Sequence, residues 1–155
     1  MLNENQKLDS LMALGIELNR IHDIDILLEY VLTRARQFVN ADAGSIYIRE
    51  GRHLTFAYSQ NDTLQRRRPT DEKLIYTNFS VPIDQSSIAG YAAATGKMLS
   101  IPDAYELPAG KRYRFSRKFD DASGYLTRSM LTIPLLSAKK DVLGVLQVIN
   151  AQNRH

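Results

Sequence analysis

The sequence has no cysteine, and this absence removes whole classes of chemistry. Without a thiol there is no disulfide, no thiolate metal site, no cysteine nucleophile and no cofactor attached through a thioether. Histidine is scarce, and His22, His53 and His155 are spread along the chain. A metal site built from clustered histidines is therefore not expected.

Long apolar runs are also missing. No stretch approaches the ~20 residues of a membrane helix, and the first residues lack the apolar core and small-residue cleavage site of a secretory signal. We therefore expect no membrane segment and a cytoplasmic location. The net charge is +3, with much of the excess in Arg66–Arg68 and Lys111–Lys118. A nucleic-acid surface usually shows a broader basic stripe, so nucleic acid is not an expected partner.

Three catalytic motifs are absent as well. The chain has no G-x-S-x-G elbow, no GxxxxGK[ST] phosphate loop and no H-E-x-x-H helix. Asp120 and Asp121 are adjacent, so on an extended chain their carboxylates point to opposite faces. We expect no enzymatic activity. A non-haem iron site built on Asp and Tyr stays open, although no ligand spacing argues for it.

The N-terminal third is predicted to be helical. Leu8, Leu11, Met12, Gly15 and Leu18 recur at spacings of three and four and form one narrow apolar stripe. Such a stripe suits pairing with another helix, for example from a second copy of the chain. A helix folded back onto its own domain explains it equally well.

The run at 23–25 offers an N-cap and first-turn acids for a second helix. Its apolar stripe is broad enough to lie on a sheet. The stripe comprises Ile24, Leu27, Leu28, Val31, Leu32, Ala35, Phe38 and Val39.

After Asn40 the apolar period changes to two, which predicts strands. A short helix is expected after the third strand, with Ser86 or Ser87 as its N-cap and Gly96 as its C-cap. Long polar connections lie at 61–78 and 103–124. The pattern predicts an α+β fold with a central six-stranded antiparallel sheet. The predicted strands lie within 44–51, 53–60, 79–84, 97–105, 129–136 and 141–150.

The stretch 118–133, KFDDASGYLTRSMLTI, places polar side chains directly before an apolar strand. Asp120, Ser123 and Thr127 recur at spacings of three and four, so a helical turn would bring them to one side of a ligand pocket. Alternatively, Asp120 or Asp121 only caps a turn and Ser123 hydrogen-bonds the backbone.

Five motifs follow one another between residues 80 and 150, in the order and spacing of one known domain family. They are IAGYAAATG, IPDAY, D-x-x-x-G-Y-x-T-R, an I-P-L strand and GVLQVIN. Together they resemble a GAF domain, closest to the regulatory GAF domains of cyclic-nucleotide phosphodiesterases and bacterial signalling proteins. The resemblance implies N-terminal helices on one face of the sheet. It also implies a ligand pocket on the other face, covered by loops and a short helix.

The resemblance also implies pocket residues on the strands and at a helix start. Ser45 matches a base-contacting serine, and Tyr58 matches an aromatic that stacks on a purine. Gln147 falls where the family can place an acid. Ile88 and Ala89 match positions whose backbone amides meet the phosphate.

The remaining implied pocket residues belong to the second long connection. Asp120, Ser123 and Thr127 match polar residues over the base and ribose, and Ser116 occupies a position often held by Tyr. Two departures stand out: Ser59 replaces the usual base-reading acid, and Ala151 replaces the Lys of an N-K pair.

These matches predict a non-catalytic sensory domain. We expect residues 1–20 to form a linker or dimerisation helix and residues 21–155 to form the GAF domain, without the family's C-terminal helix. The implied partners are a small ligand such as a cyclic purine nucleotide, a second copy bound through the first helix, and a covalently linked output domain; no other cofactor is implied. The alternative is a structural dimerisation module whose pocket is filled by its own side chains.

Overall fold

The computed structural model describes residues 3–21, 23–68 and 79–152, without the side chains of 14, 15 and 17–21. Five helices, six strands and one 3-10 turn follow one another in these ranges. In chain order they are α1 (Glu4–Ile21), α2 (Ile24–Val39), β1 (Ala41–Glu50), β2 (His53–Asn61), α3 (Asp62–Arg66), β3 (Ser80–Pro82), α4 (Ile88–Thr95), β4 (Leu99–Ile101), the 3-10 turn (Ala104–Glu106), α5 (Lys118–Ser123), β5 (Met130–Leu136) and β6 (Val142–Ala151).

The strands form one sheet in the order β3-β2-β1-β6-β5-β4. Every neighbouring pair is antiparallel. The predicted α+β class and six-stranded antiparallel sheet are confirmed. The two long connections are less irregular than expected, because α3 lies in the first and the 3-10 turn and α5 lie in the second. Residues 69–78 of the first connection lie outside the described ranges.

Helix α2 covers one face of the sheet. The Asp23 carboxylate accepts the backbone N–H of Asp25, so the predicted N-cap is confirmed. Leu28 and Leu32 pack with Ile46 of β1 in a buried apolar cluster. At Gly44 an added Cβ would come within 2.7 Å of Leu32 Cδ1 and within 2.8 Å of the backbone oxygen of Gln147, so the space between α2 and the sheet favours glycine here.

The apolar stripe of α2 is narrower than predicted. Ile24 is 56% exposed, Leu27 40% and Phe38 91%. These three side chains are therefore not buried against the sheet, and Ile24 and Phe38 belong to the two ends of the helix. The prediction that the whole stripe lies on the sheet is wrong for them.

Helix α1 forms as predicted but presents its stripe to solvent. Leu8, Leu11 and Met12 are 58%, 65% and 61% exposed. These side chains therefore do not pack back onto the sheet, which removes the folded-back alternative for this part of the stripe. The side chain of Leu18 lies outside the described part of the chain, and the surroundings of Gly15 are not described either.

The opposite face of the sheet is covered by α4 and by residues 103–124, which we call the lid. Helix α4 begins at the N-cap Ser87, whose side chain accepts the Gly90 N–H, and ends at Gly96 in the left-handed conformation. Both predicted caps are confirmed. Within the described ranges, no helix has the length and apolar character needed to cross a membrane.

Candidate ligand-binding site

A cavity of about 570 Å³ lies between the sheet and the lid. Eight of the nine residues predicted for the site border it: Ser45, Ile88, Ala89, Ser116, Asp120, Ser123, Thr127 and Gln147. Tyr58 does not. The fold thus brings together residues that are spread over a hundred positions of the chain, and their role in binding stays a prediction.

One polar row runs across the sheet on the cavity side, and two of its members, Ser45 and Gln147, border the cavity. Ser59 of β2 pairs with Ser45 of β1, which pairs with Gln147 of β6, which pairs with Thr132 of β5. Residues paired directly across antiparallel strands share a face, so these four side chains point to the same side. Gln147 Nε2 donates to Thr132 Oγ1 at 3.2 Å and contacts Met130 Sδ at 3.6 Å.

Ser59 differs from the rest of this row. Its hydroxyl is buried and has no hydrogen-bond partner among the described residues. An unsatisfied buried hydroxyl costs stability, since its bonds to water are not replaced. At one end of the row Gln147 and Thr132 are hydrogen-bonded to each other, and at the other end the Ser59 hydroxyl has no hydrogen bond within the described residues.

Tyr58 lies on the wrong face for the role predicted from the resemblance. The register of β1 and β2 shifts between Ile46 and Tyr47, so that Ile46 pairs with Tyr58 but Tyr47 pairs with Phe56. This β-bulge at Ala57 puts Phe56 and Tyr58 on opposite faces. Tyr58 packs against the cluster under α2.

The aromatic side chain of β2 at the cavity is Phe56. It borders the cavity with Tyr47, and the two rings meet edge to face with centroids 5.6 Å apart. Sequence alternation alone could not find this residue, because Phe56 and Tyr58 have the same parity along the chain until the bulge is known. Phe115 and Phe119 of the lid add further aromatic surface.

Asp120 anchors the lid. Its side chain is buried, with 4% exposure, and accepts hydrogen bonds from the Tyr105 hydroxyl at 2.7 Å, Thr127 N at 2.7 Å and Thr127 Oγ1 at 2.8 Å. The hydrogen bond to Asp120 raises the pKa of the Tyr105 phenol above its ordinary value. Both carboxylate oxygens are thus occupied by the protein, and Asp120 joins the 3-10 turn, α5 and the approach to β5.

Other predicted lid residues bond to the backbone. Ser123 Oγ donates to Phe119 O at 2.7 Å and accepts Tyr125 N at 3.2 Å. Ser116 Oγ accepts Lys118 N at 3.4 Å. The local alternative for Ser123 is therefore correct, although it also borders the cavity. Asp121 is not a cap, since α5 begins after Arg117 without a side-chain capping bond.

A second buried carboxylate holds the far end of the lid. Asp42 Oδ2 accepts the Tyr125 hydroxyl at 2.9 Å, and Arg66 Nη2 lies 3.6 Å from Asp42 Oδ1. Asn150 Nδ2 donates to the same hydroxyl at 2.9 Å and to Leu126 O at 2.8 Å. Burial and the hydrogen bond to Asp42 raise the pKa of Tyr125. Asn150, which precedes Ala151 and stands at the Asn position of the N-K pair, thus holds the segment between the lid and β5.

The charges at the cavity are uneven. Among the described residues that border it, Arg68, Arg114 and Lys118 are cations, and Asp120 is the single acid. Ile88 and Ala89, in the first turn of α4, also border the cavity. The N-terminus of a helix carries a partial positive charge, which adds to that of the three cations. The described residues contain no group of three His, Asp or Glu side chains placed to hold a metal ion.

A family model described as GAF domain matches residues 23–155. The chain belongs to the GAF domain family. The cGMP-specific 3',5'-cyclic phosphodiesterase of Drosophila ananassae is 31% identical over 141 residues, which cover 84% of this chain and 11% of that protein. The dual 3',5'-cyclic-AMP and -GMP phosphodiesterase 11 of Drosophila melanogaster is 28% identical over 143 residues, covering 84% and 9%. This GAF domain therefore corresponds to a small part of these relatives.

The fold of this chain is also similar to that of GAF domains whose structures have been solved. The GAF domain of A. aeolicus nlh2, determined in an inactive state, superposes with a TM-score of 0.60 at 19% identity and covers 84% of this chain and 70% of that one. At this identity the likeness shows the fold alone. The GAF fold and the regulatory character of the family are thus established for this chain, and its ligand is a matter for proposal.

Proposed function

We propose that this GAF domain is a non-catalytic sensor that binds a small anionic ligand under its lid, with a cyclic purine nucleotide as the ligand. The observation that carries the proposal is the cavity itself: a polar floor, aromatic side chains and a cationic rim in a space of about 570 Å³. Ligand pockets in proteins typically enclose ~300–1,000 Å³ and combine apolar walls with a few oriented polar groups.

The cavity offers a separate environment for each part of a cyclic nucleotide. The polar row at Ser45 and Gln147 supplies donors and acceptors for the edge of a base, and Phe56 supplies an aromatic surface. Ile88 and Ala89, the first residues of α4, border the cavity, and the free N–H groups of a helix start suit a phosphate. The size and the distribution of polarity both support this ligand class.

Binding has a physical route to the N-terminal helices. Arg36 of α2 donates to Ala41 O at 3.2 Å and Asp42 O at 2.8 Å, bonds Gln60 Oε1 at 2.8 Å and pairs with Asp62 Oδ2 at 2.6 Å. A ligand that shifts the cavity edge would therefore change bonds made directly by α2. Regulation requires only that the ligand bind two arrangements of this network with different affinity.

The exposed stripe of α1 supports a second part of the proposal, a homodimer formed through this helix. Leu8, Leu11, Met12 and Ile16 are each more than half exposed. A dimer would bury this stripe and place two domains side by side, with their output domains attached to the same chains. The same stripe also favours the second candidate function, a dimerisation module without ligand.

Titration calorimetry with cyclic AMP and cyclic GMP distinguishes the two functions. A sensor gives a saturable heat and a rise in melting temperature with ligand concentration, because a ligand of the folded state stabilises it by mass action. No heat and no melting shift at millimolar nucleotide would reject the cyclic nucleotide. Light scattering that finds a monomer would reject the dimer.

Paired variants sharpen this test. Phe56→Leu should weaken nucleotide binding by roughly 5- to 150-fold, since base–aromatic stacking contributes ~1–3 kcal/mol. Tyr58→Leu is the matched control on the opposite face and should leave the dissociation constant unchanged. Equal losses in both variants would contradict the placement of the base beside Phe56.

A further inference from the structure

The lid carries an unusual concentration of positive charge. Between residues 111 and 118 the sequence KRYRFSRK has five cations in eight positions and no acid. Like charges at such short range repel one another, so this segment favours an arrangement in which an anion lies among them. The structure divides these five side chains into two groups.

Three of the cations are engaged away from the cavity. Arg112 Nη1 donates to Gln85 Oε1 at 2.8 Å. The Arg117 guanidinium lies over the Tyr105 ring, 4.6 Å from its centroid, and Lys111 Nζ lies 6.0 Å from the Tyr113 centroid. None of these three borders the cavity.

Arg114 and Lys118 form the second group, because both border the cavity. Neither makes an ion pair with any residue in the described ranges. Asp120 is the only acid of those ranges at the cavity, and its two oxygens already accept three hydrogen bonds from Tyr105 and Thr127. The charges of Arg114 and Lys118 are thus left for another partner.

The position of Arg114 is fixed by its backbone. Arg114 N donates to Ser86 O at 2.9 Å, and Arg114 forms a parallel bridge with Ser87, the N-cap of α4. The side chain therefore starts beside the positive end of α4, where an anion is stabilised both by the guanidinium and by the backbone dipoles. Lys118 approaches the same cavity from the first residue of α5.

We propose that Arg114 and Lys118 bind the anionic group of the ligand and select phosphate-bearing ligands over uncharged ones. The inference deepens the proposed sensory function, because it assigns the charge selectivity of the same cavity to two lid residues. It also makes the lid part of the recognition surface. A phosphate-type anion would hold the lid against α4 by bonding both.

The test compares charged and uncharged probes of the same scaffold. Titration calorimetry and thermal melting are measured for cyclic AMP, cyclic GMP, adenosine, guanosine and inorganic phosphate, with the wild-type chain and with Arg114→Gln, Lys118→Gln and the double variant. Lys111→Gln is the matched control, since it removes one charge from the same segment but outside the cavity. All three side chains are exposed, so the variants are expected to fold.

For the wild-type chain we expect at least tenfold tighter binding of each cyclic nucleotide than of its nucleoside, with affinity falling as salt rises. Each cavity variant should lose roughly 10- to 150-fold in nucleotide affinity and much of the salt dependence, whereas Lys111→Gln should bind like the wild type. This range is the loss of one charge-assisted hydrogen bond of ~1.5–3 kcal/mol, converted at tenfold per ~1.4 kcal/mol.

The outcomes separate the two proposals. If nucleotides bind all variants equally, the role of Arg114 and Lys118 is wrong while the sensory function stands. If nucleosides bind as well as nucleotides, the domain still binds a small molecule, but the anionic character of the ligand is also wrong. If the nucleotides fail but inorganic phosphate stabilises the wild type and not the double variant, the anion site stands and the nucleotide is wrong. If no probe binds the wild-type chain, both proposals are overturned.

Discussion

The two faces of the sheet are made by the same strands and have opposite characters. On the α2 face, Leu32 and Ile46 are fully buried in an apolar cluster. On the lid face, the polar row through Ser45 and Gln147 borders a cavity of about 570 Å³. Side chains alternate across a strand, so one sequence can serve both faces. The α2 face holds the domain together, and the lid face keeps a space open.

The largest expected effect comes from a truncation on the α2 face. Leu32→Ala should lower the free energy of unfolding by about 2–5 kcal/mol, because it removes a fully buried side chain and leaves a cavity in a packed cluster. Denaturant unfolding measures this loss. Leu143→Ala, at a position 54% exposed, is the control and should cost less than about 1 kcal/mol. Similar losses at both sites would break the contrast between a packed and an open face.

Tyr125→Phe tests the clamp at the edge of the lid face. Removing the hydroxyl leaves the buried Asp42 carboxylate without its 2.9 Å donor and should cost about 1–3 kcal/mol near neutral pH. Urea unfolding of both proteins measures the difference. A cost below the error of the measurement would show that Asp42 finds another donor.

The same variant predicts a pH dependence. Burial and the bond to Asp42 raise the pKa of Tyr125 in the folded state, whereas in the unfolded chain a tyrosine loses its proton near ~10. The contribution of Tyr125 is therefore complete below about pH 10 and is lost as the pH rises from there towards the folded pKa. Unfolding followed between pH 8 and 11 should show a steeper alkaline loss for the wild type than for Tyr125→Phe. Parallel curves would contradict this.

The smallest expected effect distinguishes the two ends of the polar row. Ser59→Ala removes a buried hydroxyl without a partner in the described chain and should raise the free energy of unfolding by up to about 1 kcal/mol. Thr132→Val, nearly the same shape, removes the oxygen that accepts Gln147 Nε2 and should lower it by about 1 kcal/mol. Thermal and denaturant unfolding of the two variants check the opposite signs. A loss of stability in Ser59→Ala would show that its hydroxyl is bonded after all.

Local patterns were enough to predict the elements and their ends. Alternating residues predicted strands β1 and β2, and the caps Asp23, Ser87 and Gly96 lie where the sequence placed them. These features depend on neighbours within a few residues, and backbone propensity and capping bonds act at that range. Eight of the nine positions taken from the family resemblance border one cavity, because the common fold brings those positions together, and their role in binding stays a prediction.

What the sequence alone determined is the α+β class, the antiparallel sheet and the set of residues from which a cavity could be built. Only the tertiary structure decided which of them turn inward. Because of the bulge at Ala57, Phe56 and not Tyr58 lies on the cavity face. Both carboxylate oxygens of Asp120 accept hydrogen bonds from Tyr105 and Thr127. Register and hydrogen-bond partners are set between segments far apart in the chain, so no local pattern records them.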